Sequence, residues 1–398
     1  MTASSYLAST SSARFGWLVV AVALSLAACG GEGDVERKVF VERLGDDTVA
    51  VEAYTRGPDR FEGDVLIRSP ITQVGHYAAT LADDGTVERL EVAWRSPEEN
   101  PEGVRPLSVT YTITGDSATI DFRAQDTASA TVAVPPGVIP IIGSPPWSYA
   151  AFEQATMQAM AAGGDTVPVH FLTPRGQVVS SRVTKLSPDS VTLEFFGYPV
   201  LAVVDEEGRV LHRSGKQTTI KTEGERVSEI DIAMLAAEFA SRDVRGEGMG
   251  IASPRDTLEA SVGGAHLQVI YGQPAMRGRE IWGALVPYGE VWRTGANAAT
   301  HFTTDRDLEI DGTVVPAGQY TLYSLFTPDS AQLIINKQTG QWGTVYNEDQ
   351  DLARVGLRSE SLDEPVERFT IGVESAEGGG RIELSWDHTR YFVPFRVR

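Results

Sequence analysis

Apolar and polar residues alternate with period two over much of the chain beyond residue 38. The runs 48–54, 63–68, 76–81, 87–94, 107–113 and 118–123 each put apolar side chains on one face of an extended segment, with turn residues between them. Asp84-Gly85, between two such runs, is a hairpin signal, because the tight turn needs positive φ and glycine has no Cβ to clash there. These runs predict an antiparallel meander. The pattern breaks in the proline-rich stretch 134–146, where proline removes ladder donors, and a helix is predicted over 147–162 after Pro145-Pro146. That helix has apolar positions on more than one face, which suits a plug or cap for a curved sheet.

Further strands are expected at 167–172, 177–185, 190–196, 200–205 and 209–214, with Glu206-Glu207-Gly208 as a turn. Ile232, Leu235, Ala236 and Phe239 then follow helical spacing within 230–244. The expected first domain, 39–245, is therefore a mainly β, antiparallel curved sheet or half-barrel with one or two helices. Periplasmic lipid carriers and lipocalin-like folds share this architecture. Two readings stay open: an interior filled by its own side chains, or a cavity for an apolar ligand such as a lipid.

Residues 246–252 are glycine-rich and read as a linker. Beyond them, strands are expected at 257–262 and 266–271 around Gly263-Gly264, at 308–310 and 313–315 around Asp311-Gly312, and at 320–326 and 332–336. Three more follow at 369–374, 381–386 and 390–395, where Trp386 shares parity with Ile382 and Leu384 and belongs to the core. This pattern predicts an antiparallel β-sandwich over 253–398.

The long connection 272–299 is unusual. It sets Trp282, Tyr288 and Trp292 beside Arg277, Arg279, Arg293 and Asn297, with Tyr271 at its start, and Lys337 and Trp342 lie on a second loop. Aromatic faces next to guanidinium and amide groups suit a saccharide or another small polar ligand, since the ring offers an apolar platform and the guanidinium a bidentate fork. The competing reading makes the tryptophans core anchors and Arg293 a partner of loop carbonyls.

Ser253-Pro254-Arg255, Val269-Ile-Tyr-Gly-Gln-Pro274, Arg277-Gly-Arg-Glu-Ile-Trp-Gly283, Leu285-Val-Pro-Tyr-Gly289 and Val291-Trp-Arg-Thr-Gly-Ala-Asn-Ala-Ala-Thr300 together resemble the bacterial DUF2911 family. The resemblance continues through Pro316-Ala-Gly-Gln-Tyr-Thr-Leu-Tyr323, Ile335-Asn-Lys337 and Gln341-Trp-Gly343. It implies a domain from about residue 253 to the C terminus. The family's function is unknown, so no chemistry comes with it.

At the other end, polar residues up to Arg14 precede an apolar run from Phe15 to Leu26, which reads as the core of a signal peptide over 1–28. Leu26-Ala27-Ala28-Cys29 resembles the lipobox of bacterial lipoproteins. The resemblance implies cleavage before Cys29 and a diacylglyceryl group on its thiol, with residues 29–38 as the tether. Cys29 is the chain's single cysteine, so an intrachain disulfide is not possible. Gly30 follows it rather than Asp, which points to the outer membrane, facing the periplasm. The membrane, reached through this anchor, is the expected partner.

Charge narrows the remaining choices. The formal net charge is -20, from 54 acidic and 34 basic residues, and this field repels phosphate backbones; nucleic acid is not an expected partner. The chain lacks Gly-x-Ser-x-Gly, a Walker phosphate loop and His-Glu-x-x-His, so neither a cofactor nor a metal is expected and a non-catalytic role is favoured. His266, His301 and His388 fall in one domain. Glu280, Glu290, Asp305 and Asp387 keep open a hydrolase with paired carboxylates, which requires two of them across a cleft.

Overall fold

The computed structural model describes residues 37–143, 148–195, 197–376 and 378–398; the signal peptide, Cys29 and the start of the tether lie outside them, as do Pro145, Pro146 and Trp147. The first eight strands are β1 (Arg37–Leu44), β2 (Asp47–Arg56), β3 (Arg60–Ile67), β4 (Gln73–Leu81), β5 (Val87–Arg95), β6 (Leu107–Thr114), β7 (Ser117–Arg123) and β8 (Thr127–Ala133). A short β9 (Ile139–Pro140) and helix α1 (Tyr149–Ala162) follow. The strands then resume as β10 (Thr166–Leu172), β11 (Val178–Ser187), β12 (Ser190–Phe195), β13 (Tyr198–Val204), β14 (Val210–Ser214) and β15 (Glu223–Val227), before helix α2 (Ile232–Val244).

These strands make one sheet in the order β8-β7-β6-β5-β4-β3-β2-β1-β15-β14-β13-β12-β11-β10-β9, so β15 returns beside β1 and joins two meanders into a single curved wall. Every pairing is antiparallel except β9 with β10. The wall stays open, with β8 and β9 as its edges.

Helix α1 sits inside the wall. Ser148 caps its N terminus by accepting the Ala151 N–H, and Tyr149, Phe152 and Ala155 are buried in the same core as Phe40, Tyr54, Tyr77, Leu193 and Val204. The apolar positions on several faces thus find sheet on several sides. Helix α2 lies on the opposite face: Ile232, Ala236 and Phe239 cover Val39, Val41, Val51, Ala53 and Leu66. β1 and β2 are consequently buried on both faces, and the residues of other parity, Lys38, Glu42, Glu52 and Arg56, point inward at α1.

The polar groups that this burial traps are matched to one another. Glu153 of α1 accepts hydrogen bonds from Lys38 Nζ at 2.9 Å and the Val210 N–H at 2.9 Å, and forms an ion pair with Arg56, whose Nε lies 3.1 Å away. Glu42 receives Arg213 at 2.9 Å and the Tyr149 hydroxyl. Glu52 accepts the Tyr77 hydroxyl at 2.6 Å and the buried first-turn N–H groups of α1 at Tyr149 and Ala150, which have no partner within the helix. Three carboxylates and three cations thus pin the helix to the wall, since a buried charge without a partner would cost far more than the pair contributes.

The second sheet contains β16 (Arg255–Val262), β17 (Ala265–Gly272), β18 (Val291–Trp292), β19 (Thr300–Thr304), β20 (Leu308–Ile310), β21 (Thr313–Val315), β22 (Gly318–Phe326), β23 (Ala331–Asn336), β24 (Asp351–Ala376) and β25 (Gly379–Val397). Its order is β16-β17-β19-β22-β23-β24-β25-β20-β21, with β18 on β22. The expected hairpins form; Asp311 and Gly312 both have positive φ, +47° and +77°. The strand expected at 369–374 is the end of the much longer β24, whose ladder with β25 slips at Ser361/Val366 and Val366/Thr370. Those bulges bend the pair, so both arms contribute to one core with Phe302, Leu322, Leu333, Ile371, Leu384 and Trp386. The sequence pattern marks no strand at β1, β8, β9, β15, β18 or β19.

Both sheets belong to one compact unit, Glu36–Arg398. The segment expected to be a linker is itself packed: Met249 is buried against Leu44 and Val49, and Ser69 Oγ donates to Gly250 O at 3.0 Å.

Candidate functional site

The connection between β17 and β19 leaves the second sheet, touches the first and returns. Its outermost point is fixed by Arg277, whose φ is +52° and whose guanidinium pairs with Asp47. The Asp46 N–H donates to Arg277 O at 2.9 Å, and a Cβ on Gly45 would lie 2.1 Å from that carbonyl, so only glycine allows this approach of the β1–β2 turn. Arg279 donates to Met276 O at 2.9 Å and Ala275 O at 2.6 Å, fastening the loop to itself.

Between this docked loop and the first sheet lies a cleft of about 560 Å³. The loop contributes Arg279, Glu290, Trp292, Arg293 and Asn297; the first sheet contributes Tyr198 and the β14–β15 connection 217–221, ending at Lys221; Tyr323, Gly343, Tyr346 and Trp386 complete the walls. A cavity of this size suits a small molecule.

Arg293 is the cleft's most unusual group. Its stem lies against Gly343, where a Cβ would sit 2.7 Å from Arg293 Cδ, and its Nη1 is buried without a hydrogen-bond partner. Burial holds its pKa below the ordinary arginine value, with Tyr198 acting weakly the other way. Burial also lowers Arg279 and Lys221; for Lys221, Glu290 opposes the shift while Arg293 and Arg279 add to it, which places these four charges in one field. Among the described residues no carboxylate lies within ion-pair distance of Lys221, Arg279 or Arg293.

Backbone strain gathers here as well. Lys221, Thr294 and Asn297 hold φ of +60°, +48° and +64°, a region that disfavours residues with a Cβ. Thr294 is held there because its hydroxyl meets Ser324 Oγ and its carbonyl accepts from Thr300 Oγ1 at 2.7 Å, both buried. Strain sustained by surrounding contacts is typical of sites that position a group for use.

The structure separates the residues singled out from sequence. Trp292, Arg293 and Asn297 line the cleft, whereas Arg277 is engaged with Asp47. Trp282 packs between Phe326 and Tyr391, at ring distances of 4.8 and 5.0 Å. Tyr271 is buried and its hydroxyl accepts the Ile371 N–H at 3.1 Å. Tyr288 and Trp342 are 41% and 47% exposed outside the cleft lining, and Lys337 is exposed beyond β23. Lys221, Tyr198 and Tyr346 were not foreseen; nothing local in 217–221 distinguishes Lys221 from a solvated turn lysine.

Of the four carboxylates considered for hydrolysis only Glu290 lines the cleft; Asp305 accepts the His266 N–H at 2.7 Å, and Asp387 sits at the β24–β25 bulge with φ +51°. The three histidines have separate partners: His266 pairs with Glu259 at 2.8 Å, His301 accepts the Gly340 N–H at 3.0 Å, and His388 lies 3.2 Å from Leu362 O.

A second cavity, about 460 Å³, opens within the first sheet and is lined mainly by apolar side chains, among them Trp94, Leu107, Val109, Phe122 and Phe171.

Among solved structures the chain is similar to a DUF1089 family protein from Pseudomonas aeruginosa, at 16% identity over 43% of this chain and 92% of that one, with a TM-score of 0.30. It is also similar to a β-barrel-like protein of the DUF1849 domain of unknown function from Brucella abortus, at 10% identity over 50% of this chain and 98% of that one, with a TM-score of 0.35. No curated protein matches it. Residues 253–395 match the family model described as protein of unknown function (DUF2911), and this region, with the loop that forms one wall of the cleft, is a DUF2911 domain.

Proposed function

We propose that this protein is a lipid-anchored component of the bacterial envelope that binds a small polar ligand, a saccharide in particular, in the cleft between its two sheets. The anchor is Cys29, and the outer membrane facing the periplasm is its proposed location. The observation that carries the binding role is the buried, unpartnered Nη1 of Arg293 beside the half-buried ring of Trp292. A folded protein leaves few buried donors unmatched, and Arg293 is among the residues that line the cleft, so an acceptor brought there by a ligand is the partner this side chain lacks.

Two measurements test the two parts. Metabolic palmitate labelling marks the native protein and leaves Cys29→Ser unmarked; an unlabelled native protein refutes the anchor. A glycan array probed with the purified protein shows retention that Arg293→Gln abolishes; retention of the variant at full strength refutes the role of the cleft.

A second reading rests on the apolar cavity of the first sheet, whose volume and lining suit a lipid chain. Mass spectrometry of the protein isolated from its own envelope detects a co-purifying lipid if this reading holds, and repeated absence retires it. The two roles are compatible, because the apolar cavity lies within the first sheet and the polar cleft between the two sheets.

A further inference from the structure

We infer that the cleft's ligand is an acidic saccharide, whose carboxylate is held jointly by Arg293 of the second sheet and Lys221 of the first. This inference rests on the proposal that the cleft binds a saccharide and adds the ligand's charge and the contribution of the first sheet.

The balance of charges points to it. The whole chain has 54 acidic residues against 34 basic ones, yet among the described residues the charged side chains lining the cleft are Lys221, Arg279 and Arg293 against Glu290. A positive cleft in a strongly acidic protein is not a by-product of composition. Three cations crowded into a partly desolvated space repel one another, and each loses hydration there. The fold keeps them so without a neutralising carboxylate at ion-pair distance among the described residues, and an anion arriving from outside relieves both costs at once.

The geometry also sets the number and kind of charges. Arg279 already donates to two loop carbonyls, whereas Lys221 Nζ gives one of its three protons to Lys216 O at 2.9 Å and keeps two to donate, and Arg293 Nη1 has no partner among the described residues. A planar guanidinium matches a carboxylate well. Glu290 on the same wall disfavours a dianion such as phosphate and suits the hydroxyls of a sugar. Half-buried Trp292, Tyr198 and Tyr346 supply the apolar surface that a pyranose ring needs.

Titration calorimetry of the full chain, solubilised in detergent, with N-acetylmuramic acid, N-acetylglucosamine and inorganic phosphate tests the inference, because the two sugars share a ring and differ by a lactyl carboxylate. The acid is expected to bind at least tenfold more tightly than the neutral sugar, with phosphate weaker than the acid. Arg293→Gln and Lys221→Gln should each remove most of that difference while leaving the melting temperature no lower. Equal binding of the two sugars, or a preference for the acid untouched in both variants, overturns the acidic ligand and leaves a saccharide site standing. Tighter binding of phosphate than of the acid overturns it in favour of a phosphate ligand. Binding of none of the three overturns the saccharide proposal together with this inference.

Discussion

Trp292 and Arg293 are adjacent in the chain but respond to substitution differently. The Trp292 ring stacks on Trp386 at 5.9 Å and meets Phe369 edge-on at 5.0 Å, so it supports the core as well as forming the cleft wall. Trp292→Ala should lower stability by about 2–3 kcal/mol in urea denaturation, the loss expected for a large, partly buried ring. Loss of ligand in that variant therefore says little about recognition; a stability unchanged from the native protein would show that the aromatic stack carries no weight. Arg293, buried without a counter-ion, is the cleaner probe. Sequence singled out both residues because aromatic and arginine side chains stand together on a long loop. It could not tell them from Trp282 or Arg277, since what each touches is supplied by strands far along the chain.

At the scale of the element, α1 illustrates both the reach and the limit of pattern. Its existence was readable from Pro145-Pro146 and the apolar positions that follow, and its multi-faced character suggested enclosure. Its partners were not readable, because Lys38, Glu42, Glu52 and Glu153 look like solvent-facing residues until two layers close over β1 and β2. Glu153→Ala should destabilise the protein by about 3–5 kcal/mol, because it leaves Lys38 and Arg56 buried without their carboxylate; a loss below about 1 kcal/mol would mean that water reaches these cations.

Glu52 gives a dependence on pH. Burial raises its pKa above the ordinary value, against the opposing hydrogen bonds from Tyr77, Ala150 and Tyr149. The folded state then holds the proton more tightly than the unfolded chain, so this group's contribution to stability is full below the ordinary carboxylate range and declines as pH rises above it. The stability advantage of the native protein over Glu52→Gln should shrink as pH rises above the ordinary carboxylate range in paired denaturation curves; an advantage that grows would reverse the sign. The strands that pattern missed have a related cause. β8 is exposed along nearly its whole length, so it has no core face to impose alternation, and β24 carries Pro365 within the stretch where its ladder with β25 is bulged.

For the whole molecule, the question is whether the two sheets unfold together. The β1–β2 turn, Arg277 and the packed stretch around Met249 tie them into one unit, and the cleft exists only while they stay joined. Scanning calorimetry should show a single transition, which binding of a cleft ligand moves upward as one peak. Two resolved transitions would mean that the sheets are independent domains and that the cleft opens before either melts.

The sequence alone determined the mainly β character, the hairpins and the two helices, because alternation, glycine at positive φ and proline act within a few residues of where they stand. It also marked the 272–299 loop, and the resemblance of 253–398 to the DUF2911 family. Tertiary structure decided which polar residues are buried, which of the loop's aromatic and arginine side chains face open space, and that Lys221 stands across from Arg293. Those outcomes depend on burial and on charges meeting through space, and neither leaves a local periodic trace in the chain.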